Sequence, residues 1–273
     1  MKSLVRAIRR QFAGTLLLII LVVFILLPVA AVFLWAFTEV WRYPSLLPSQ
    51  YGLRFWNVTL GRADVWKALT LSLWLSLVVT AISAVICLPA AYAFARLEFP
   101  GRRLLLLSFL ATQAFPRFGI YVAIATIFLQ LGLVGTFTGV AAIQVVNTLL
   151  YMIWIPVAAF QGIDRRLEEA ARDVGATPLQ VFWHISLPQA APALMAALLL
   201  TFVNTFYETD GAWLIGAPIV KTMPILMIQL INNQLVIQYG AVLSVLLWVP
   251  SFVALLFTHR VLSARTIARG FGA

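Results

Sequence analysis

The sequence predicts an all-α polytopic membrane protein with six transmembrane helices and both termini in the cytoplasm. Hydrophobic residues make up 63% of the 273 residues and charged residues only 10%, a composition outside the range of soluble globular domains. Apolar runs of about 18 residues or more recur, and each can cross a hydrocarbon core of about 30 Å as a helix. Basic residues gather in alternate connecting segments, and this bias sets the orientation.

Each predicted span follows from one apolar run. The first run has a basic head, but its length of about 24 residues exceeds the 7–15 residues of a signal-peptide core, so we expect a retained helix. Residues 1–13 then form a cytoplasmic tail and residues 14–273 a single membrane domain. The six spans are Gly14–Phe37, Ala68–Ala95, Leu104–Leu131, Gly139–Phe160, Ala190–Tyr207 and Ala241–Thr258.

The orientation rests on the arginines and lysines. With the N-terminus inside, 13 of the 19 basic residues fall in cytoplasmic segments, namely the head, the turn 96–103, the segment 161–188 and the tail. This distribution follows the positive-inside bias. The placement of basic residues in cytoplasmic segments also accounts for the sequence pI of about 10.5. We therefore expect no nucleic-acid partner.

Neither the cysteine nor the histidines predict a reactive or metal-binding site. Cys87 lies inside an apolar run, where a thiol packs as a small apolar side chain. His184 and His259 sit at cytoplasmic edges without a second ligand at metal spacing. We therefore predict no metal site.

Residues 208–240 form a long segment on the outer side of the membrane. Pro218 and Pro224 interrupt it, and an apolar stretch follows the second proline. The segment is too short and too broken to span the bilayer, so we predict an interfacial or re-entrant helix that begins near Pro224.

Residues 161–188 form a polar segment between apolar runs, and its charges exclude it from lipid. Asp164 is a favourable N-cap for a helix over Arg165–Val174. Gly175 stands where a left-handed C-cap is expected. Thr177 and Pro178 then start a second helical piece, before Pro188 and Pro192 mark the return into the bilayer.

One face of this predicted helix carries mostly small side chains. Leu167, Ala170, Ala171 and Val174 recur at i, i+3, i+4 and i+7 and form a narrow apolar stripe. Such a stripe can bury itself shallowly in the groove of a partner. It can equally belong to a connector that lies on the membrane surface, and the residues alone leave both interpretations open.

The spacing of this segment matches a known motif. Glu169-Ala170-Ala171 is followed after three residues by Gly175, after nine more by Ile185, and after one more by Leu187-Pro188. This pattern resembles the coupling-loop motif of the membrane subunits of bacterial ATP-binding-cassette importers. The resemblance runs from the turn at residues 91–101 to the tail, about two-thirds of the chain. It is most similar to the sugar-type permeases, in particular those like the second membrane subunit of the maltose system.

The resemblance implies a type I importer permease fold in the bacterial cytoplasmic (inner) membrane, with 161–188 as the coupling loop. It also implies the partners: two nucleotide-binding ATPase subunits that carry ATP and Mg²⁺, a second permease subunit of a different sequence, and a periplasmic or lipid-anchored solute-binding protein. Membrane lipid surrounds the chain, which itself binds no cofactor. The implied coupling residues are Glu169, Ala170, Ala171, Asp173, Gly175, Ile185, Leu187 and Pro188.

Within that set the resemblance gives roles to four residues. Glu169 would hold the loop by polar contacts to the ATPase subunit, Ala170 and Ala171 would pack closely against it, and Gly175 would make the bend. One observation supports this assignment without relying on the resemblance. A phosphate-binding loop ends in Gly-Lys-Ser/Thr, and none of the three lysines follows a glycine. We therefore expect that the chain is not itself an ATPase.

Polar residues inside the spans are candidates for the solute pathway. Span four carries them at i, i+3, i+4 and i+7, span five at related spacing, and span three beside Pro116 and Arg117. Polar groups at depth need partners or a water-filled path, and hydrogen bonds between helices use the same residue types. The candidates are Gln113, Gln144, Asn147, Thr148, Tyr151, Thr201, Asn204, Tyr207 and Glu208.

Uncharged polar groups with tyrosine suit a sugar or polyol. Glu208 and Asp210 either neutralise a cationic solute or lie on a solvated rim, so a polyamine, phosphonate or another small charged solute is the alternative. A secondary transporter driven by an ion gradient belongs to another class. It would show two related halves and acidic residues at mid-membrane, and the sequence shows neither. A scaffold or sensor subunit is a third possibility.

Overall fold

The computed structural model describes residues 2–42, 44–111 and 115–270, with side chains for 14–42, 44–110 and 115–260. These residues form helices almost throughout, plus one antiparallel pair of short strands. The strands are β1 (Thr38–Val40) and β2 (Gln50–Tyr51). The α-helices are α1 (Lys2–Ala36), α2 (Arg54–Leu60), α3 (Ala63–Arg96), α4 (Arg102–Ala111), α5 (Arg117–Gln130), α6 (Phe137–Gln161), α7 (Arg165–Asp173), α8 (Pro178–Val181), α9 (Leu187–Phe206), α10 (Met223–Gln234) and α11 (Ile237–Gly270).

Five of the predicted spans correspond to helices that are long and apolar enough to cross a membrane. Among the described residues these helices are Gly14–Ala36, Ala63–Arg96, Phe137–Gln161, Pro178–Phe206 and Ile237–Arg260. They match predicted spans one, two, four, five and six. The helix at span two begins at Ala63, five residues before its predicted start, and the helix at span five begins at Pro178, twelve residues before its predicted start. Helix α10 confirms that a helix begins near Pro224, and its interfacial or re-entrant position stays a prediction.

Predicted span three is not one continuous helix. Helix α4 ends at Ala111 and α5 begins at Arg117, after Pro116 in an extended conformation at φ −57° and ψ 119°. Proline lacks the amide hydrogen that a continuing helix requires, and it disfavours a helical residue before it. The 14 residues of α5 rise about 21 Å, less than a hydrocarbon core. Gln113, a pathway candidate, lies outside the described residues.

The chain divides into two compact units. The first contains Met1–Val65 and Met227–Trp248. Its small apolar core joins Ala36 to Ala241 and Val242, and the rings of Phe33 and Trp248 meet edge to face at 5.5 Å. The large apolar side chains of residues 16–27 are exposed, as in a helix that faces lipid.

The second unit contains Trp66–Leu226 and Val249–Ala273. One of its cores includes Cys87, Phe160 and Leu194 and lies between α3, α6 and α9. Cys87 is fully buried there, as predicted. Another core includes Ile143 and Ile215 and lies where α6 meets the segment that follows α9. The residues of the candidate site described below all belong to this unit. The single-domain assignment of residues 14–273 stays a prediction.

Candidate functional site

The first half of the coupling segment folds as predicted. Asp164 caps α7, since its carboxylate Oδ1 accepts a hydrogen bond of 3.0 Å from the amide of Arg166. The helix ends one residue before the predicted end, and Gly175 follows with φ +94°. The amide of Gly175 donates to the carbonyl of Arg172 at 2.9 Å, and that of Ala176 donates to Ala171 at 3.0 Å. These bonds close the C-terminus of α7 through a left-handed glycine.

The second half of the coupling segment runs continuously into α9, whereas the sequence predicts a separate helical piece. Thr177 and Gln180 form a capping box with Pro178 as the first helical residue, as the sequence indicates. Helix α8 then passes through a π-helical turn, Phe182–Ser186, directly into α9. The predicted second helical piece is therefore the first part of one helix that continues as span five.

Most of the apolar stripe of α7 is exposed. Leu167 is 49% and Val174 86% exposed, and Glu169, Ala170 and Asp173 are also on the surface. Ala171, Ile185, Leu187 and Pro188 are half-buried. An exposed apolar stripe on a capped helix has the form of a docking surface. The coupling roles of these residues stay predictions.

Helix α7 buries one side chain, that of Glu168, which is not among the coupling residues predicted from the sequence. Oε1 of Glu168 lies 2.9 Å from Nη2 of Arg96 and accepts from Nε of Arg96 at 3.0 Å. The hydroxyl of Ser186 donates to the same oxygen at 2.7 Å. Nη2 of Arg96 also donates to the carbonyl of Ile163 at 3.1 Å. We call these residues the Arg96–Glu168–Ser186 cluster.

This cluster is shielded from solvent. The side chains of Arg96 and Glu168 are 6% and 5% exposed, and Ser186 is fully buried. Carboxylates and guanidinium groups are rarely buried without a partner. One sequence signal points to the pair: Arg96 directly follows predicted span two, on the side of the membrane where the polar segment emerges. The sequence does not show which of the adjacent Glu168 and Glu169 faces inward.

Among the pathway candidates, Gln144 and Glu208 are buried against each other. Nε2 of Gln144 donates to Oε2 of Glu208 at 3.1 Å. The carboxylate also accepts from the amides of Gly211 at 2.6 Å and Ala212 at 3.0 Å. The expectation that Glu208 lies on a solvated rim is therefore wrong, while Asp210 is exposed. Burial raises the pKa of Glu208, and the three donors oppose that shift.

Two other candidates lie between helices. The hydroxyls of Thr148 and Ser83 are 2.6 Å apart and join α6 to α3. Thr201 is fully buried, and its hydroxyl has no hydrogen-bond partner among the described residues. The Thr148–Ser83 contact is a helix–helix hydrogen bond, the alternative to a role in the pathway for this residue type.

The remaining candidates keep some exposure. Nδ2 of Asn147 donates to Oδ1 of Asn204 at 3.3 Å, and both residues are half-buried. Tyr151 is half-buried, and Tyr207 is exposed with its hydroxyl 3.4 Å from the donating hydroxyl of Ser251. Asn147, Asn204, Tyr151 and Tyr207 are thus the polar pathway candidates that keep part of their surface accessible.

The family model for the binding-protein-dependent transport system inner membrane component matches residues 85–266. This range holds the coupling segment, the Arg96–Glu168–Ser186 cluster and the polar residues of α6 and α9. The chain belongs to this family. It is therefore a multi-pass permease subunit of the bacterial inner membrane.

Curated relatives share substantial sequence with this chain. The trehalose transport system permease protein SugB of Mycobacterium tuberculosis is 38% identical over 143 residues, which is 52% of each protein. The maltose/maltodextrin transport system permease protein MalG of Escherichia coli strain K12 is 32% identical over 209 residues, 70% of this chain and 71% of the relative. The match thus spans about half of the first relative and seven-tenths of the second.

Solved structures support the fold. A bacterial ABC transporter that imports the acidic polysaccharide alginate contains a chain with TM-score 0.70 and 19% identity, over 93% of this chain and 95% of that one. A chain of the MetNI methionine ABC transporter gives TM-score 0.62 and 18% identity, over 74% of this chain and 97% of that one. The family assignment and this likeness together give the chain an ABC importer permease fold.

Proposed function

We propose that this chain forms half of a solute pathway, together with a second permease subunit of different sequence, and that separate ATPase subunits drive it. The observation that carries the proposal is the exposed stripe of α7 between a capped N-terminus and a left-handed glycine. A small-residue stripe held on a short, well-formed helix is suited to a shallow groove on another protein. The missing Gly-Lys-Ser/Thr sequence supports ATP and Mg²⁺ on the partner subunits rather than on this chain.

The solute we propose is a sugar or polyol, delivered by a periplasmic or lipid-anchored binding protein. Relatives named for trehalose and maltose transport support this class. So do the uncharged polar groups that keep exposure, Asn147, Asn204, Tyr151 and Tyr207. Amide and hydroxyl groups form the neutral hydrogen bonds that hydroxylated solutes need.

A charged solute is the alternative, and the structure gives it less support. Glu208 is buried, and its carboxylate already accepts three hydrogen bonds within the chain. A carboxylate so occupied has little capacity left for a cationic solute. Asp210 is exposed, so it is the acid near this segment that a polyamine could contact.

The test is to purify this chain with the proteins encoded beside it and reconstitute the complex in lipid vesicles. Trehalose and maltose, each with the cognate binding protein, should stimulate ATP hydrolysis and enter the vesicles. Stimulation by spermidine or a phosphonate would support the alternative solute class. Uptake driven by an ion gradient without ATP would contradict the proposal, and so would a chain that co-purifies with no ATPase subunit.

A further inference from the structure

The Arg96–Glu168–Ser186 cluster connects three parts of the second unit at one buried oxygen. Arg96 is the last residue of α3, Glu168 lies in the first turn of α7, and Ser186 ends the π-helical turn that leads into α9. The carbonyl of Ile163, just before α7, binds the same guanidinium. The start of α7 is therefore attached to the ends of two membrane helices.

The cluster and the stripe point in different directions. At 3.6 residues per turn, Glu168 lies about 100° around the helix from Leu167, and Leu167 begins the exposed stripe. Helix α7 can therefore present its stripe to a partner while Glu168 stays in contact with Arg96 and Ser186. The docking surface and the internal attachment use separate faces of one nine-residue helix.

Helix α7 is connected to α9 by a short stretch of backbone, but it has no such connection to α3. Its C-terminal end leads through Gly175 to α8, which continues without a break into α9. Helix α3 has no such connection to α7, since residues 97–164 separate them in the chain. A displacement of α7 can therefore reach α9 through the backbone. Within the cluster, the direct connection from α7 to α3 is made by the hydrogen bonds of Arg96.

We propose that Glu168 is a positioning residue for energy coupling, and that the Arg96–Glu168–Ser186 cluster transmits movement of α7 to the cytoplasmic end of α3. This inference rests on the proposed function, because it requires ATPase subunits that move α7. Glu168 acts through Arg96 and touches neither ATP nor solute. A buried ion pair with several hydrogen bonds has a defined geometry, so it resists the reorientation that a single flexible contact permits.

The matched variants are Glu168→Gln and Glu98→Gln. They make the same change of side chain near Arg96, but Glu168 is buried and Glu98 is exposed and lies outside the coupling segment. Glu168→Gln removes the charge and places an amide near Arg96. Arg96→Lys keeps the charge, but one ammonium cannot reproduce the planar set of contacts to Glu168 and Ile163. Ser186→Ala removes one donor where α8 and α9 are already continuous, so we expect a smaller effect.

The first measurement is the amount of solute imported per ATP hydrolysed, with trehalose or maltose in vesicles that contain the whole complex. Glu168→Gln and Arg96→Lys should lower this ratio about tenfold while the ATPase subunits still co-purify. The double variant should be no worse than the more severe single variant, because both changes break one connection. Independent, additive losses in the double variant would contradict the proposal.

The second measurement needs no solute. Spin labels on Leu97→Cys and Arg165→Cys report the distance between the end of α3 and the start of α7. In the otherwise unchanged chain this distance should remain single and narrow with and without ATP, since the two helices move together. In the Glu168→Gln background it should broaden or shift when ATP binds. An unchanged narrow distance in that background would overturn the proposal.

The outcomes separate this inference from the proposed function. If the unchanged chain fails to retain ATPase subunits, both proposals fail. If the unchanged complex couples ATP to uptake and Glu168→Gln does so equally well, only the inference fails. If Glu168→Gln loses the ATPase subunits while Glu98→Gln keeps them, Glu168 is part of the docking surface and the inference is again wrong.

Discussion

The side-chain amide of Gln144 donates a hydrogen bond of 3.1 Å to Oε2 of Glu208 and joins α6 to the segment that follows α9. The same carboxylate accepts from the amides of Gly211 and Ala212 at the start of that segment. Glu208 therefore acts as an internal cap for the chain that leaves the membrane helix. The hydrogen bonds of Glu208 hold these elements together. They account for a buried carboxylate at this position without any contact to a charged solute.

Replacing Glu208 with alanine should destabilise the protein by about 2–4 kcal/mol, because three buried donors lose their acceptor. Thermal unfolding of the purified chain in detergent measures this loss. Asp210→Ala is the control, since Asp210 is exposed and its replacement should change stability by less than about 0.5 kcal/mol. Equal effects of the two changes would show that the three hydrogen bonds contribute little.

The stability of the protein should also depend on pH through Glu208. Burial raises its pKa in the folded state above the ordinary value of 4.5, so the folded chain holds the proton more tightly than the unfolded chain. The free energy of unfolding should therefore fall as pH rises from about 4.5 through the raised pKa. Unfolding of the unchanged chain and of Glu208→Gln should be measured across this range. A difference between them that does not vary with pH would contradict the assignment.

Two ion pairs of similar length should differ in their contribution to stability. Arg62 and Asp64 lie 2.7 Å apart with side chains 30% and 46% exposed, whereas Arg96 and Glu168 lie 2.9 Å apart at 6% and 5%. Asp64→Ala should lower the free energy of unfolding by less than about 1 kcal/mol, since water screens that pair. Glu168→Ala should lower it by about 3–5 kcal/mol, because a buried guanidinium loses its partner. Denaturant unfolding measures both, and equal losses would disprove this contrast.

Replacing Gly175 with valine should uncouple transport. The backbone there has φ +94°, a conformation that a β-branched residue adopts only with strain. An added Cβ meets nothing within 4 Å, so the effect comes from the backbone alone. Uptake should fall while assembly with the ATPase subunits is largely kept. Gly162→Ala is the control, because Gly162 directly follows α6 and has φ −73°. Uptake by Gly175→Val at the unchanged level would refute the prediction.

The half-buried asparagines should affect solute recognition, whereas the buried threonine should affect only stability. Asn147→Ala should raise the KM for uptake about tenfold, as expected when a hydrogen bond worth about 1–1.5 kcal/mol is lost. Thr148→Val keeps the shape and breaks the contact with Ser83, so it should lower the unfolding temperature at unchanged KM. Uptake kinetics with trehalose and maltose measure the first effect. An unchanged KM for Asn147→Ala would place that residue in helix packing alone.

Much of the local structure of the coupling segment could be predicted because short-range chemistry determines it. Asp164, Gly175 and Thr177 each act on backbone groups within a few residues, and each has the predicted conformation. The partners of Glu168 and Glu208 could not be predicted in this way. Arg96 and Glu168 are 72 residues apart in the chain, and burial of either glutamate depends on how separate helices pack.

The break in span three shows a second limit. Pro116 predicts a disturbance of the helix, and hydropathy across 104–131 still predicts a single span. Hydropathy depends on composition and not on backbone hydrogen bonds, so it does not register the end of α4 at Ala111. Pathway residues share this difficulty, since asparagine and threonine serve packing and solute binding equally well.

The burial of Cys87 has a practical consequence. It is the only cysteine in the sequence, and its fully buried side chain lies in the core between α3, α6 and α9. Thiol reagents need an accessible thiolate, so a cysteine introduced at an exposed position can be labelled without first removing the native one. Fluorescence and spin-label measurements of this permease can therefore begin from the natural chain.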